Sequence, residues 1–221
     1  MRNFKGAVQV VVIAAAISFA VSVAVRTPPV GASNISNGVA VTTGQAPQYT
    51  YRSGFYYPVQ GGTGGAVNII QTNGTESAMP FFVPTTTTFT KMVVWVVTAG
   101  SAGAVVRFGI YLDNGGRPGN LLLDGGTAAT TSTGAPAEVT ISQTLNAGQY
   151  WVSGVPQGAP VTGATFPFYL LNSVGVGYDV NTEVVNGAGC YSRTGITGAL
   201  TNWTGTALTA AGIMNIALKT Q

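Results

Sequence analysis

Residues 89–123 read FTKMVVWVVTAGSAGAVVRFGIYLDNGGRPGNLLL, and the fold class turns on this stretch. Its apolar runs are short, rich in Val, Phe and Tyr, and separated by clusters of Gly, Asn and Pro. That is the punctuation of strands and turns. Asp113-Asn114-Gly115-Gly116 supplies residues that take positive φ at little cost, so it predicts a tight hairpin between FGIYL and LLL. Strands are expected at 89–98, 105–112 and 121–123. In the first of them Lys91 is followed by the unbroken apolar run Met92 to Val97. Such a run suits a strand buried on both faces, or one covered by a partner subunit.

The same rhythm continues in both directions. Further strands are expected at 65–71, 78–83, 138–141, 148–152, 166–171 and 212–218. No stretch beyond residue 48 carries helical periodicity with caps. In Gly148-Gln149-Tyr150-Trp151-Val152 the two rings must point to opposite faces. One should fill the core, and the other should lie at an edge or interface. Residues 49–221 are therefore expected to form one all-β domain, an antiparallel β-sandwich of jelly-roll-like kind.

The segments TFTKMVVWVVTAGSAGAVVRFGIYLDNGGRPGNLLLDGG (88–126) and VTISQTLNAGQYWVSGV (139–155) resemble a β-sandwich module of phage virion proteins. Such modules occur in tail fibres, minor tail proteins and head-decoration proteins. YYPVQGGTGGAVNIIQTNGTESAMPFFVPTTTTF (56–89) is similar to the segment that opens them. The resemblance covers roughly Tyr56 to Gly154 and brings no motif of functional residues with it. It implies a non-enzymatic virion part, with a homo-oligomer, trimeric by analogy, and other virion proteins as partners.

Upstream, 27–48 (TPPVGASNISNGVAVTTGQAPQ) has no charge and is interrupted by Pro and Gly. It is expected to be a flexible linker or stalk. Within 1–26, Gly6 to Val25 holds neither charge nor Pro, and as a helix would span about 30 Å, a bilayer's apolar thickness. Ala7, Val11, Ile13, Ile17, Phe19 and Val23 would face lipid or a partner helix. Three readings fit: a retained anchor, a signal peptide cleaved after Val30-Gly31-Ala32, or a helix bundled in an assembly. For an anchor, Arg2 and Lys5 would mark the cytoplasmic side. The departure from ordinary fibres keeps a lipid-containing virion or a membrane-docked stage open.

Charge decides which chemistry is absent. Only 7% of residues are charged, against roughly 25% in an average soluble protein. The net excess of +3 comes from Arg2, Lys5 and Arg26, so the body is formally neutral and no nucleic-acid partner is expected. The chain has no His, which removes the commonest general base and zinc ligand. Asp179 and Glu183 are the one carboxylate pair close enough in sequence to be weighed for acid–base work. Asp179-x-Asn181-x-Glu183, and Asp113-Asn114 with Asp124, are oxygen sets a calcium ion would use, though turn chemistry accounts for both. Neither a catalytic residue, nor a metal, nor a cofactor is expected. Cys190 is the single cysteine and is expected to be an inert, packed thiol. Asn34, Asn73 and Asn202 open Asn-x-Ser/Thr sequons, about as many as composition gives.

Between Tyr178 and Thr204, Tyr178, Tyr191, Arg193 and Trp203 supply rings and a guanidinium. A glycan platform needs such groups, and the competing reading is packing under loops. The leading expectation is a virion surface component, a spike, fibre or decoration protein that displays its β-domain and contacts a host-surface glycan. The rival is a secreted or membrane-anchored bacterial surface binding protein.

Overall fold

The computed structural model describes residues 33–36, 39–42, 50–59, 66–70, 72–159, 163–169, 190–204, 208–209 and 213–221. The apolar segment 6–25, with Ala7, Val11, Ile13, Ile17, Phe19 and Val23, lies outside them. Among the described residues there is no helix, and so none long and apolar enough to cross a membrane.

The chain divides into two units, Met1–Pro47 and Gln48–Gln221. In the first, β1 (Ser33–Ser36) and β2 (Val39–Thr42) pair antiparallel, Ser33 opposite Thr42 and Ser36 opposite Val39. Two strands thus lie in the segment expected to be strand-free linker. The sequence between them is Asn37-Gly38, the dipeptide that best suits a two-residue hairpin connection.

The second unit is all-β. Its strands are β3 (Tyr56–Pro58), β4 (Ala66–Ile70), β5 (Glu76–Val83), β6 (Thr87–Val96), β7 (Val105–Asp113), β8 (Pro118–Ala129) and β9 (Ala135–Leu145). After these come β10 (Gly148–Gln157), β11 (Thr165–Tyr169), β12 (Cys190–Arg193), β13 (Leu208–Thr209), β14 (Ile213–Met214) and β15 (Ile216–Thr220). One antiparallel sheet runs β13-β12-β5-β10-β7-β8 and a second runs β3-β15-β6-β9. A third, β14-β11-β4, continues the second: Val97 N–H donates to Thr165 O at 2.8 Å and Thr165 N–H to Thr98 O at 2.9 Å.

The arrangement is that of a sandwich, because alternate residues of both sheets meet in one core. Met79, Phe81 and Val83 of β5, Val106, Phe108 and Ile110 of β7, and Tyr150 and Val152 of β10 enter from the first sheet. Met92, Val94 and Val96 of β6 face them, with Ile216 and Leu218 of β15. The period of two is what a strand with one buried face demands. Phe89 and Met92 are three residues apart yet both buried, because the register shifts between Phe89 and Lys91. Such an irregularity resets which face the chain presents.

The expected strands are found where residues are described, with β8, β9 and β10 extending well beyond their expected ends, but the single strand expected at 212–218 is two, β14 and β15, broken at Asn215 and belonging to different sheets. The predicted hairpin joins β7 to β8, with Gly115 and Gly116 at φ 63° and 82°. One expectation is corrected. Tyr150 fills the inter-sheet core, but Trp151 is at neither an edge nor an interface: it is 1% exposed, in a second cluster on the far side of the same sheet.

At Gly154 of β10 the side chains of β14 and β15 pack directly against the backbone. A Cβ there would lie 2.8 Å from Ile216 Cδ1 and 3.0 Å from Met214 Sδ. Gly154→Ala should therefore overpack the core, and because the ends of Ile216 and Met214 can rotate aside the cost should be about 1 kcal/mol, read as a lower urea midpoint at unchanged slope.

Candidate functional site

The residues singled out for glycan contact converge on the outer face of the six-stranded sheet. The β12–β5 register sets Tyr191 beside Ala78 and Arg193 beside Glu76. The β10–β7 register sets Trp151 beside Tyr111. Tyr191 packs edge-on against Trp151 at 5.3 Å between ring centroids, and Trp203 edge-on against Tyr111 at 5.5 Å. The Arg193 guanidinium lies over Trp203, 4.6 Å from its centroid. The structure thus brings Tyr191, Arg193 and Trp203 together, while Tyr178 lies outside the described residues. The cluster is closed. Tyr191 is 6% and Trp203 8% exposed, so neither ring presents the open face that stacking on a sugar requires. These side chains pack under a loop.

At its centre sits Glu76, wholly buried. Its Oε2 accepts from Arg193 Nε at 2.7 Å, and its Oε1 from the Tyr111 hydroxyl at 2.7 Å and the Ser153 hydroxyl at 2.6 Å. Buried charge is tolerated only when answered in this way. Burial first, and then the neighbouring Glu76 charge, drives the Tyr111 hydroxyl far above its ordinary value, so it stays a neutral donor.

Residues 194–204 form a strap over this face. Arg193 donates to Thr201 O and Asn202 O, and Gln157 Nε2 to Ile196 O and Gly198 O. Leu200 N–H donates to Asp124 Oδ2, and Trp203 N–H to Gly119 O. Leu200 fits because residue 109 is Gly: a Cβ there would come within 2.4 Å of Leu200 Cδ1. Burial alone would raise the Asp124 carboxyl. The two-pronged Arg107 bond, the Leu200 and Gly126 amides and the Arg107 charge outweigh it and hold the group below 3.8.

All four carboxylates among the described residues have donor partners. Glu76 and Asp124 are tied as above, Asp113 accepts from Trp151 Nε1 at 2.7 Å, and Glu138 pairs with Lys91. Asp113 and Asp124 do not form the oxygen set weighed from the sequence. Asp124 is opposite Gly109, four residues along β7 from Asp113, which is about 13 Å of strand. Among the described residues, no group of three or more His, Cys, Asp or Glu gathers as metal ligands would. Asp179, Asn181 and Glu183 lie outside the described residues. Cys190 is buried, and burial pushes its thiol up to about 12.

The open surface is on the other side of the molecule. The outward residues of β6 are Lys91, Val93 and Trp95, and Trp95 is 49% exposed. Within this chain the apolar run is therefore covered on one face only. Across the sheet, Lys219 lies opposite Lys91 and Tyr56 opposite Lys219, with the Lys219 ammonium 5.4 Å from the Tyr56 ring centroid. The Tyr56 hydroxyl donates to Glu138, whose carboxyl the Lys91 hydrogen bond holds below its usual value. On β9, Thr140, Ser142 and Thr144 are exposed. Sequence reasoning missed this face, although the alternation Lys91, Val93, Trp95 carries its signal.

No family model, curated protein or solved structure matches this chain.

Arg193→Ala strands the Glu76 charge in the interior and should cost about 3–5 kcal/mol of stability. The strap should then become cleavable by protease at 194–204. The depressed Asp124 contributes stability that is present above its ordinary value and lost as pH falls below it, so protection of the Leu200 amide relative to its intrinsic exchange rate should fall in acid. Cys190 carries the opposite sign: its contribution is complete below 9.0 and fades as pH rises towards about 12. A thiol reagent at pH 8 should leave the native protein unmodified and label it once unfolded.

Proposed function

We propose that this chain is a structural surface component of a virion, a spike, fibre or decoration protein that displays its β-domain and does no catalysis. The observation that carries the reading is how its few charges are used. The described carboxylates are spent on internal ion pairs and hydrogen bonds, while the most exposed aromatic groups are spread over open sheet and loop surface. A chain used in this way holds a shape and presents a face. The resemblance of residues 56–154 to phage virion modules supports the same assignment. Strands β5, β6 and β7, and again β8, β9 and β10, cross between the two sheets, and this alternation supports a jelly-roll-like topology.

On this reading Gly6 to Val25 attaches the protein to lipid or to neighbouring virion proteins, and copies assemble, with a trimer favoured. Mass spectrometry of purified particles from a host carrying the gene should find peptides of the 49–221 body. Their absence would overturn the assignment. A secreted or anchored bacterial surface module is the second reading, favoured by the small-x-small Val30-Gly31-Ala32 behind the apolar run. A natural chain that begins at Ser33 would support it.

A further inference from the structure

We propose that the outer face of the β3-β15-β6-β9 sheet is a binding platform for an acidic polysaccharide. This rests on the display reading and names its ligand class. The platform consists of Tyr56, Lys91, Val93, Trp95, Glu138 and Lys219. Trp95 and Tyr56 are 49% and 43% exposed on neighbouring parts of one pleated surface. From Trp95 to Lys91 is four residues of β6, about 13 Å, and β3 lies two strands away, about 10 Å across. The Tyr56 side chain leans across this face from β3, its hydroxyl 3.4 Å from Glu138 on β9, so the rings and charges form one continuous surface along which an extended sugar chain can lie.

The charges choose among ligands. Two ammonium groups and one carboxylate occupy the face, and Lys91 is paired with Glu138. Among the described residues no carboxylate lies within ion-pair distance of Lys219, whose ammonium is held over the Tyr56 ring. The face therefore carries a net single positive charge within a body that is formally neutral, Glu138 being bonded to Lys91 and also feeling the Lys219 charge. The Thr140, Ser142 and Thr144 hydroxyls extend the polar surface along β9.

A second copy of the chain is the competing occupant. The cores of protein interfaces are depleted in Lys and Glu, because desolvating such groups is costly. Here Lys91, Glu138 and Lys219 share the face with the rings, where a dry interface would have to bury them. A hydrated sugar chain leaves them wet and uses the ring faces.

Native affinity electrophoresis of the full chain tests the proposal, with alginate as the acidic polymer and dextran as the neutral one. Alginate should retard the protein, less so at higher salt, and dextran should not. Trp95→Ala should weaken retardation about tenfold, the scale of one aromatic contact. Lys219→Gln should abolish the preference for alginate. Phe82→Ala, an exposed ring on the other sheet, should leave binding intact, and thermal unfolding of each variant shows that it is folded. No retardation by alginate, equal retardation by dextran, or unchanged binding in both platform variants would overturn the proposal. So would self-association lost in Trp95→Ala without polysaccharide binding, which assigns the face to a second copy. Each outcome is independent of whether the protein is found in particles, so failure here and failure of the display reading are separable.

Discussion

A carboxylate removed from water has to be answered by the protein, and much of this domain is arranged around that requirement at Glu76. Its donors come from three other places in the chain: Tyr111 on β7, Ser153 on β10 and Arg193 on β12. Satisfying one charge thus fixes the register of four strands. Arg193 then extends the constraint outward, since its remaining N–H groups hold the carbonyls of Thr201 and Asn202. The strap, and the aromatic cluster under it, follow from the burial of one acid. Removing the acid and its cation together for apolar groups of like size would not be expected to destroy the fold. What the ionic version adds is direction, because hydrogen bonds accept few alternative pairings.

A chain this poor in charge has little electrostatic freedom. Three ion pairs, Glu76 with Arg193, Asp124 with Arg107, and Glu138 with Lys91, use six of its charged side chains. Two join strands of the six-stranded sheet, β5 to β12 and β7 to β8, where they are substantially shielded from solvent. The third lies on an exposed sheet face and contributes little to stability there. It lies on the face proposed above as a binding platform, near Tyr56 and Trp95. The same chemistry thus serves fastening on one face and presentation on the other, with solvent access deciding which.

The strands were readable because a sheet with one buried face writes its period into the sequence. Met79-Phe81-Val83 and Val106-Phe108-Ile110 show it plainly. The ends of β8, β9 and β10 were not readable, since small and polar residues and Pro dominate there and carry no contrast between faces. β12, only four residues long, gives no period at all. The strap was hidden for a different reason: nothing in Leu200 or Trp203 says which surface it will cover. That depends on Gly109 and Asp124, far away in the chain. Tyr191, Arg193 and Trp203 were recognisable as a group by residue type, but residue type does not report solvent access. Trp95 was legible by parity alone, once Lys91 marked the outward side of β6. The β1–β2 hairpin was written in Asn37-Gly38, between two short runs that a Pro- and Gly-rich setting obscured.

The strand β15 lies between β3 and β6, so positions 56 and 219 are neighbours although most of the domain separates them in sequence. Loop-closure entropy of that size must be met before the contact returns anything, and topologies dominated by such distant pairings fold slowly. Until β15 is inserted, β6 has an unpaired edge and the core is open along Met92 and Val94. With so few charges, the incomplete chain also has little mutual repulsion to keep copies apart. The hazardous interval for this protein is thus the wait for β15, and yield should respond to temperature and concentration during synthesis more than to the stability of the folded domain.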